Sequence, residues 1–96
     1  MGNFIVNHKT TDHKGAFEAT DAQGNHAGEM TYTSPDQNTL IIDHTGVEDA
    51  YNGQGVGMEL LEALVAYARE QHLKVIPLCP YAKSRFDKYS SLRDVL

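Results

Sequence analysis

What this chain has little of already excludes several classes of protein. No apolar run approaches the ~18 residues that a bilayer crossing needs, so no membrane span is expected. The opening stretch MGNFIVNHKTTDHKG has neither a basic segment nor an apolar core behind it, which argues against a secretory signal. Gly2 would start a myristoylation signal, but Val6 stands where that signal prefers Ser or Thr. The lone cysteine, Cys79, rules out an internal disulfide and fits a reducing compartment, so the cytoplasm is the expected location.

Positive charge is also scarce. The formal net charge is -5, whereas nucleic acids and anionic membranes are met by a clustered basic footprint; neither is expected as a partner. The scarcity is uneven. Residues 1–73 carry 11 acids against 3 Lys or Arg, while residues 74–96 hold Lys74, Lys83, Arg85, Lys88 and Arg93 against two acids. Such an end suits a small phosphorylated ligand, or equally a solvated helix face. His8, His13, His26 and His72 form no pair at metal-ligand spacing and have no companion cysteines, so no metal is expected. Neither linker, repeat nor low-complexity segment interrupts the 96 residues, which amount to one small domain, residues 1–96.

Short alternating runs come first. NFIVNH, GAFEATD and HAGEMTYT read as strands, and TDAQGNH between the last two has the Asp, Gly and Asn of a tight hairpin turn. SPDQN reads as a second turn, and TLIIDHTGV as the most apolar strand of an antiparallel four-strand meander. The period then changes. Val56, Leu60, Leu61, Leu64, Val65 and Ala68 recur at helical spacing opposite Glu59, Glu62, Arg69 and Glu70, so an amphipathic helix should pack on the sheet and end at His72. KVIPLC is nearly all apolar, as befits a fifth strand parallel to the fourth and buried on both faces, reached by a right-handed crossover. Pro80 should stop it, and YAKSRFDKYSSL has the spacing of a short terminal helix carrying Tyr81, Phe86 and Tyr89. The predicted class is a mixed α/β sheet.

Between the fourth strand and the helix lie Gly53, Gly55 and Gly57 in alternation. The first amides of a helix lack intrahelical partners and carry the positive end of its dipole, which makes the position an anion site. Without side chains at those glycines a pyrophosphate could reach the amides, although a sharp turn alone would also use a glycine. A Walker loop is excluded, since Met58 and Glu59 follow Gly57 where Lys and Ser or Thr are required. A dinucleotide fingerprint needs a glycine where Met58 stands, and it should follow the first strand of a parallel unit rather than a meander.

The stretch Val47 to Gly57, VEDAYNGQGVG, resembles the acyl-CoA-binding motif of the GNAT superfamily of N-acetyltransferases, V-x-P-x-Y-R-G-x-G-x-G. With His44-Thr45-Gly46-Val47 before it and VIPLCPY, Val75 to Tyr81, after it, the chain is most similar to the short single-domain GNAT-like branch. The resemblance spans nearly the whole sequence. It implies a GNAT-like fold in which the fourth and fifth strands splay and the pantetheine arm of acetyl-CoA, the implied co-substrate, lies in the gap. It further implies that Val47 bonds the pantetheine or acetyl carbonyl through its backbone, and that Asn52, Gly53, Gln54, Gly55, Val56, Gly57 and Met58 line the pyrophosphate. Lys83 and Arg85 would reach the 3'-phosphate of CoA. Two departures stand out: Asn52 replaces Arg or Gln, and Asp49 replaces Pro.

Acetyl transfer needs a neutral amine, a stabilised oxyanion and a proton for the departing thiolate. Many members of the superfamily supply that proton from a Tyr in the last helix, where this chain has Phe86; Tyr81, Tyr89 or water would have to serve. Cys79 at the end of the fifth strand is the candidate for a covalent acetyl intermediate, with His44 as its base. A small buried hydrophobe is the plainer role for such a cysteine. The expected activity is acetyl-CoA-dependent N-acetylation of a small amine or a protein lysine, the amine acceptor being unknown; the competing reading is a non-catalytic acyl-CoA-binding or regulatory module. Because so short a chain lacks the helical insertion that walls the acceptor pocket of larger members, that site should be shallow or completed by a partner chain in an oligomer.

Overall fold

The computed structural model describes residues 4–96; Gly2, on which the myristoylation reading turned, lies outside the described residues. Strands β1 (Ile5–Thr11), β2 (Lys14–Thr20), β3 (His26–Asp36) and β4 (Thr39–Val47) form the meander. Helix α1 (Val56–Gln71) then crosses over to β5 (Lys74–Pro77), which pairs parallel with β4. Helix α2 (Pro80–Lys88) and a terminal 3-10 helix, Ser90–Val95, complete the chain. Strand order in the sheet is β1-β2-β3-β4-β5, the order of the chain itself.

Side-chain alternation divides the sheet into two faces. Phe17, Ala19, Met30, Tyr32, Leu40 and Ile42 point inward and are buried under Leu60, Leu61, Leu64, Val65 and Ala68, the stripe that the helical period predicts. Phe86 of α2 and Leu92 and Val95 of the terminal helix join the same core, so every helix packs on the inner side. The outer face carries Lys9, Thr31, Thr33, Asp43 and His44 and lies bare. His8 stacks on Phe17 at 4.1 Å and meets Tyr32 Oη at 2.5 Å, closing the β1 end of the core; burial lowers its pKa.

The bare outer face corrects the reading of the fifth strand. The predicted six-residue strand, buried on both sides, is four residues long at the sheet edge: Val75 is buried, but Ile76 and Leu78 are 43% and 66% exposed. With no helix outside it, one of its faces meets solvent. Its C-terminal boundary is Pro77, and Pro80 instead occupies the first turn of α2, where a missing N–H is harmless. The second turn is shorter than predicted. Ser34, Pro35 and Asp36 extend β3, and the ladder absorbs the proline at an irregularity between Thr33 and Asp36. The predicted terminal helix is two pieces, broken at the extended Tyr89. Arg69 bonds both carboxylate oxygens of Asp94, at 2.8 and 2.7 Å, and so ties the second piece to α1. His72 closes α1 in the left-handed region at φ 57°, as its sequence position suggested.

Candidate active site

Strand β4 begins between two neighbours and ends with one. Thr39, Leu40, Ile41 and Ile42 pair with Lys74, Val75, Ile76 and Pro77, and the last link is the Cys79 amide donating to the Ile42 carbonyl at 3.1 Å. From Asp43 to Val47 only β3 pairs with β4, and Asp43 is the extra residue of a bulge between the pairs Tyr32–Ile42 and Thr31–His44. A gap therefore opens between the end of β4 and the segment Leu78–Tyr81. The Glu48 amide donates to the Ala27 carbonyl at 2.8 Å; by strand alternation the Val47 amide faces the other way, into the gap.

The N-terminus of α1 stands at the mouth of this gap. Gly53 and Gly55 have φ of 79° and 80°, the left-handed region where L side chains are strained, and no neighbour would obstruct a Cβ at either. Backbone geometry thus explains these two glycines. Gly57 is different: it is buried, its φ is helical, and a Cβ there would lie 2.6 Å from the Tyr81 hydroxyl. Its lack of a side chain seats the Tyr81 ring against the first turn, where the sequence reading assigned it to phosphate access. The amide of Gln54 donates to the Tyr51 carbonyl at 3.2 Å, so the turn itself uses it. That leaves the amides of Val56, Gly57 and Met58 as first-turn donors without helical partners. Asn52 is exposed at the end of the preceding 3-10 turn, Asp49–Tyr51.

Cys79 is 4% exposed, and its sulfur lies 3.3 Å from the Thr45 hydroxyl across the gap. Burial pushes the thiol up, but the Thr45 hydroxyl, with backbone groups of Ala82, Tyr81 and Thr45, outweighs it and leaves the pKa below the ordinary thiol value. His44 is not brought to the sulfur. It sits on the outer face, with its Nε2 over Gly46, because neighbouring strand residues point to opposite faces and Thr45 takes the inward position. Tyr81 does approach the site; burial raises its pKa, partly opposed by Arg85. The Arg85 guanidinium lies 5.6 Å above the Tyr81 ring and 5.9 Å from that of Tyr89. Lys83 is exposed on α2, and Phe86 is wholly in the core.

Two features of the site escaped sequence reasoning. Thr45 was open to it, since it shares a strand face with Val47. The second, Tyr51, had no local signal: its hydroxyl donates to Asp21, 30 residues away in the β2–β3 turn, at 2.5 Å, and pulls that carboxyl down to about 2. The tyrosine of the motif is thus a strut that pins the start of the glycine turn to a hairpin. On the outer side, a hollow of about 350 Å³ is lined by Glu29, Gly46, Val47, Glu48, Asp49 and Ala50. A larger trough of about 690 Å³ spreads over β1 to β4 around Lys9, Lys14, Thr33 and Asp43, and touches neither Val47 nor the glycine turn. Among the described residues no group of His, Cys, Asp and Glu is arranged to hold a metal, and no helix is long and apolar enough to cross a membrane.

A splayed parallel pair beside a glycine-opened helix defines the acyltransferase architecture anticipated above. Residues 16–95 match the family profile described as GCN5-related N-acetyl-transferase. The solution structure of a GCN5-like N-acetyltransferase candidate from Staphylococcus aureus is 43% identical, with a TM-score of 0.72 over 99% of this chain and 89% of that one. The chain belongs to the GCN5-related N-acetyltransferase family and is an enzyme of the acyltransferase class. The fold recurs in a GNAT family acetyltransferase from Elizabethkingia anophelis with acetyl-CoA bound, at 15% identity and TM-score 0.71, covering 95% of this chain and 75% of that chain. It recurs again in a GNAT family N-acetyltransferase from Escherichia coli in complex with CoA, at 24% identity and TM-score 0.64, covering 75% and 44%. No curated protein matches the sequence.

Proposed function

We propose that the chain takes acetyl-CoA as its acyl donor and acetylates a primary amine. The observation that carries this reading is the unpaired end of β4, whose Val47 amide faces a gap flanked by the glycine-opened start of α1. An extended pantetheine arm would replace the missing strand, and its pyrophosphate would meet the amides of Val56, Gly57 and Met58. Gly53 and Gly55 keep that approach clear. Asn52 and Gln54 flank the same turn, while Lys83 and Arg85 extend the basic end of the chain toward a terminal phosphate.

Acetyl-CoA supplies an acetyl group activated as a thioester. The chain's contribution is to hold the carbonyl against the Val47 amide, where a developing oxyanion would be stabilised, and to protonate the departing thiolate. Tyr81, the hydroxyl seated at the mouth of the gap, is the proton donor in this reading; its raised pKa keeps it protonated near neutral pH. Cys79 offers a second route, attack by its thiolate after the thiol proton passes to solvent, with the Thr45 hydroxyl stabilising the thiolate and no residue in the place of base assigned to His44. The buried Phe86 favours the other possibility, a module that binds acyl-CoA without turnover.

Calorimetric titration with acetyl-CoA, followed by intact mass of the wild type and Cys79→Ala, separates these readings. Binding with a Cys79-dependent acetyl adduct supports the covalent route; binding and turnover without an adduct support direct transfer. Binding with no turnover selects the module, and no binding at millimolar ligand sinks the proposal.

A further inference from the structure

We propose that the trough on the outer face of the sheet docks an acidic peptide segment, and that the acceptor amine is a lysine of that segment lying about four residues from its acids. The inference rests on the acetyl-transfer reading above and names its acceptor. The trough, about 690 Å³, has Gly15 and Ala16 in its floor, with Lys9, Lys14, Thr31 and Thr33 around them. Ala16 accounts for the depression. Its cross-strand partners are Lys9 and Thr31, and its outward neighbours along β2 are Lys14 and Glu18, all longer side chains.

Charge singles out the occupant. Residues 1–73 hold three Lys or Arg against 11 acids, and two of the three, Lys9 and Lys14, stand in this trough. The third, Arg69 on α1, is held by Asp94. Lys9 is paired with Glu18 at 3.0 Å, whereas Lys14 is exposed and has no ion pair among the described residues. Asp43, the acid of the trough, takes the Thr33 hydroxyl at 2.6 Å. The opposite charge gathers at the other end of the face, where Glu29, Glu48 and Asp49 line the hollow beside Val47. The face is thus cationic at Lys14 and anionic where the gap opens. A segment with an acid at one end and a lysine ammonium at the other complements both ends; a polyamine complements only one.

The trough leads to the gap. Thr31 lines it and pairs with the exposed His44, and the next outward pair on the same two strands, Glu29 and Gly46, lines the hollow. The helices pack on the inner side of the sheet, so a segment in the trough has an open course over the strand surface to an acyl group held at Val47. The length follows from the register. Lys14 pairs with Thr33 and Glu18 with Glu29, four residues apart along each strand, which is about 13 Å at ~3.3 Å per residue. An extended peptide covers that span with four residues, and its lysine side chain then turns down beside Val47. A sheet face offers no ladder hydrogen bonds, so either chain direction fits and charge does the selecting.

The test compares thiol release from acetyl-CoA with the peptides acetyl-EESTSK-amide and acetyl-KSTSEE-amide, with the same peptides carrying glutamine for glutamate, and with 1,5-diaminopentane. At low ionic strength the wild type should favour an acidic peptide over its glutamine counterpart by about fivefold in kcat/KM, through KM, and should lose that preference as salt rises. Lys14→Glu should abolish the preference, and Ala16→Leu, which fills the trough, should raise KM for the peptides. Neither should alter the melting temperature, the acetyl-CoA affinity or the rate with 1,5-diaminopentane. Equal kcat/KM for acidic and glutamine peptides in the wild type, or a preference that survives Lys14→Glu, would overturn the proposal. So would a dimeric mass by light scattering that Lys14→Glu converts to monomer, for the face would then belong to a second copy. If the wild type binds acetyl-CoA and transfers to no peptide, fluorescence anisotropy of the labelled peptides decides: Lys14-dependent binding of an acidic peptide supports the docking surface although transfer fails, and equal binding overturns it. Wild type that does not bind acetyl-CoA overturns both readings.

Discussion

The two halves of β4 share one extended backbone and have opposite surroundings. Thr39–Ile42 is flanked by strands on both sides, and Leu40 and Ile42 are completely buried. Asp43–Val47 has a strand on one side only; its side chains are exposed or half-buried, and the bulge at Asp43 marks the border. Stability is concentrated in the first half, and the backbone groups left without partners in the second. A single strand thus anchors the fold at one end and offers an unfilled ladder at the other, which is what a ligand that lies down as an extra strand requires.

The largest effect should come from breaking the first half. Leu40→Ala removes a side chain with no exposed surface and should destabilise by about 3 kcal/mol, read by denaturant unfolding. Thr45→Ala in the second half should lose about 1 kcal/mol or less. Equal losses would dissolve the comparison. Next comes Gly55→Ala, which forces a side chain into φ 80° at the start of α1 and should destabilise by about 1–2 kcal/mol while weakening acetyl-CoA binding. An unaltered affinity would detach the glycine turn from the gap. Thr45→Val should leave the fold intact and raise the Cys79 pKa, because the hydroxyl that favours the thiolate is gone; ultraviolet titration of the thiolate reads the shift.

The smallest effect concerns the strut. Asp21, held at about 2 by Tyr51, contributes stability that is present above its ordinary value of 3.8 and disappears as pH falls through about 2. In Tyr51→Phe the carboxyl should titrate closer to 3.8, so that this contribution is lost at higher pH. The Asp21 carboxyl signal in an NMR titration checks it, and an unmoved midpoint would remove the strut from the account.

Much of this was legible in the sequence where the signal is local. The stripe Val56 to Ala68 has helical spacing, and all six of its residues are buried. The glycine turn and the splayed pair stood in order and spacing around it. What could not be read there are relations between distant segments. KVIPLC has the composition of a strand covered on both sides, and only the placement of every helix on the inner face leaves Ile76 and Leu78 exposed. Gly57 stands in a run that suggests a ligand, yet the ring it accommodates belongs to Tyr81 in another helix. His44 and Thr45 are adjacent letters, and strand alternation sends the histidine away from Cys79 while turning the threonine toward it. Tyr51 meets Asp21 through a hairpin that no local pattern foretells.

Strand order in the sheet repeats strand order in the chain, and this has a kinetic consequence. The meander needs only hairpin contacts between successive segments, which close short loops, whereas β5 must wait for the sixteen-residue α1 to span the crossover. Having four residues and a single neighbour, β5 is the weakest member of the sheet, so native-state hydrogen exchange should find it opening at lower free energy than β2 and β3. The wall of the gap is then the last part to form and the first to breathe, and a ligand lodged against it should slow exchange there more than anywhere else in the molecule.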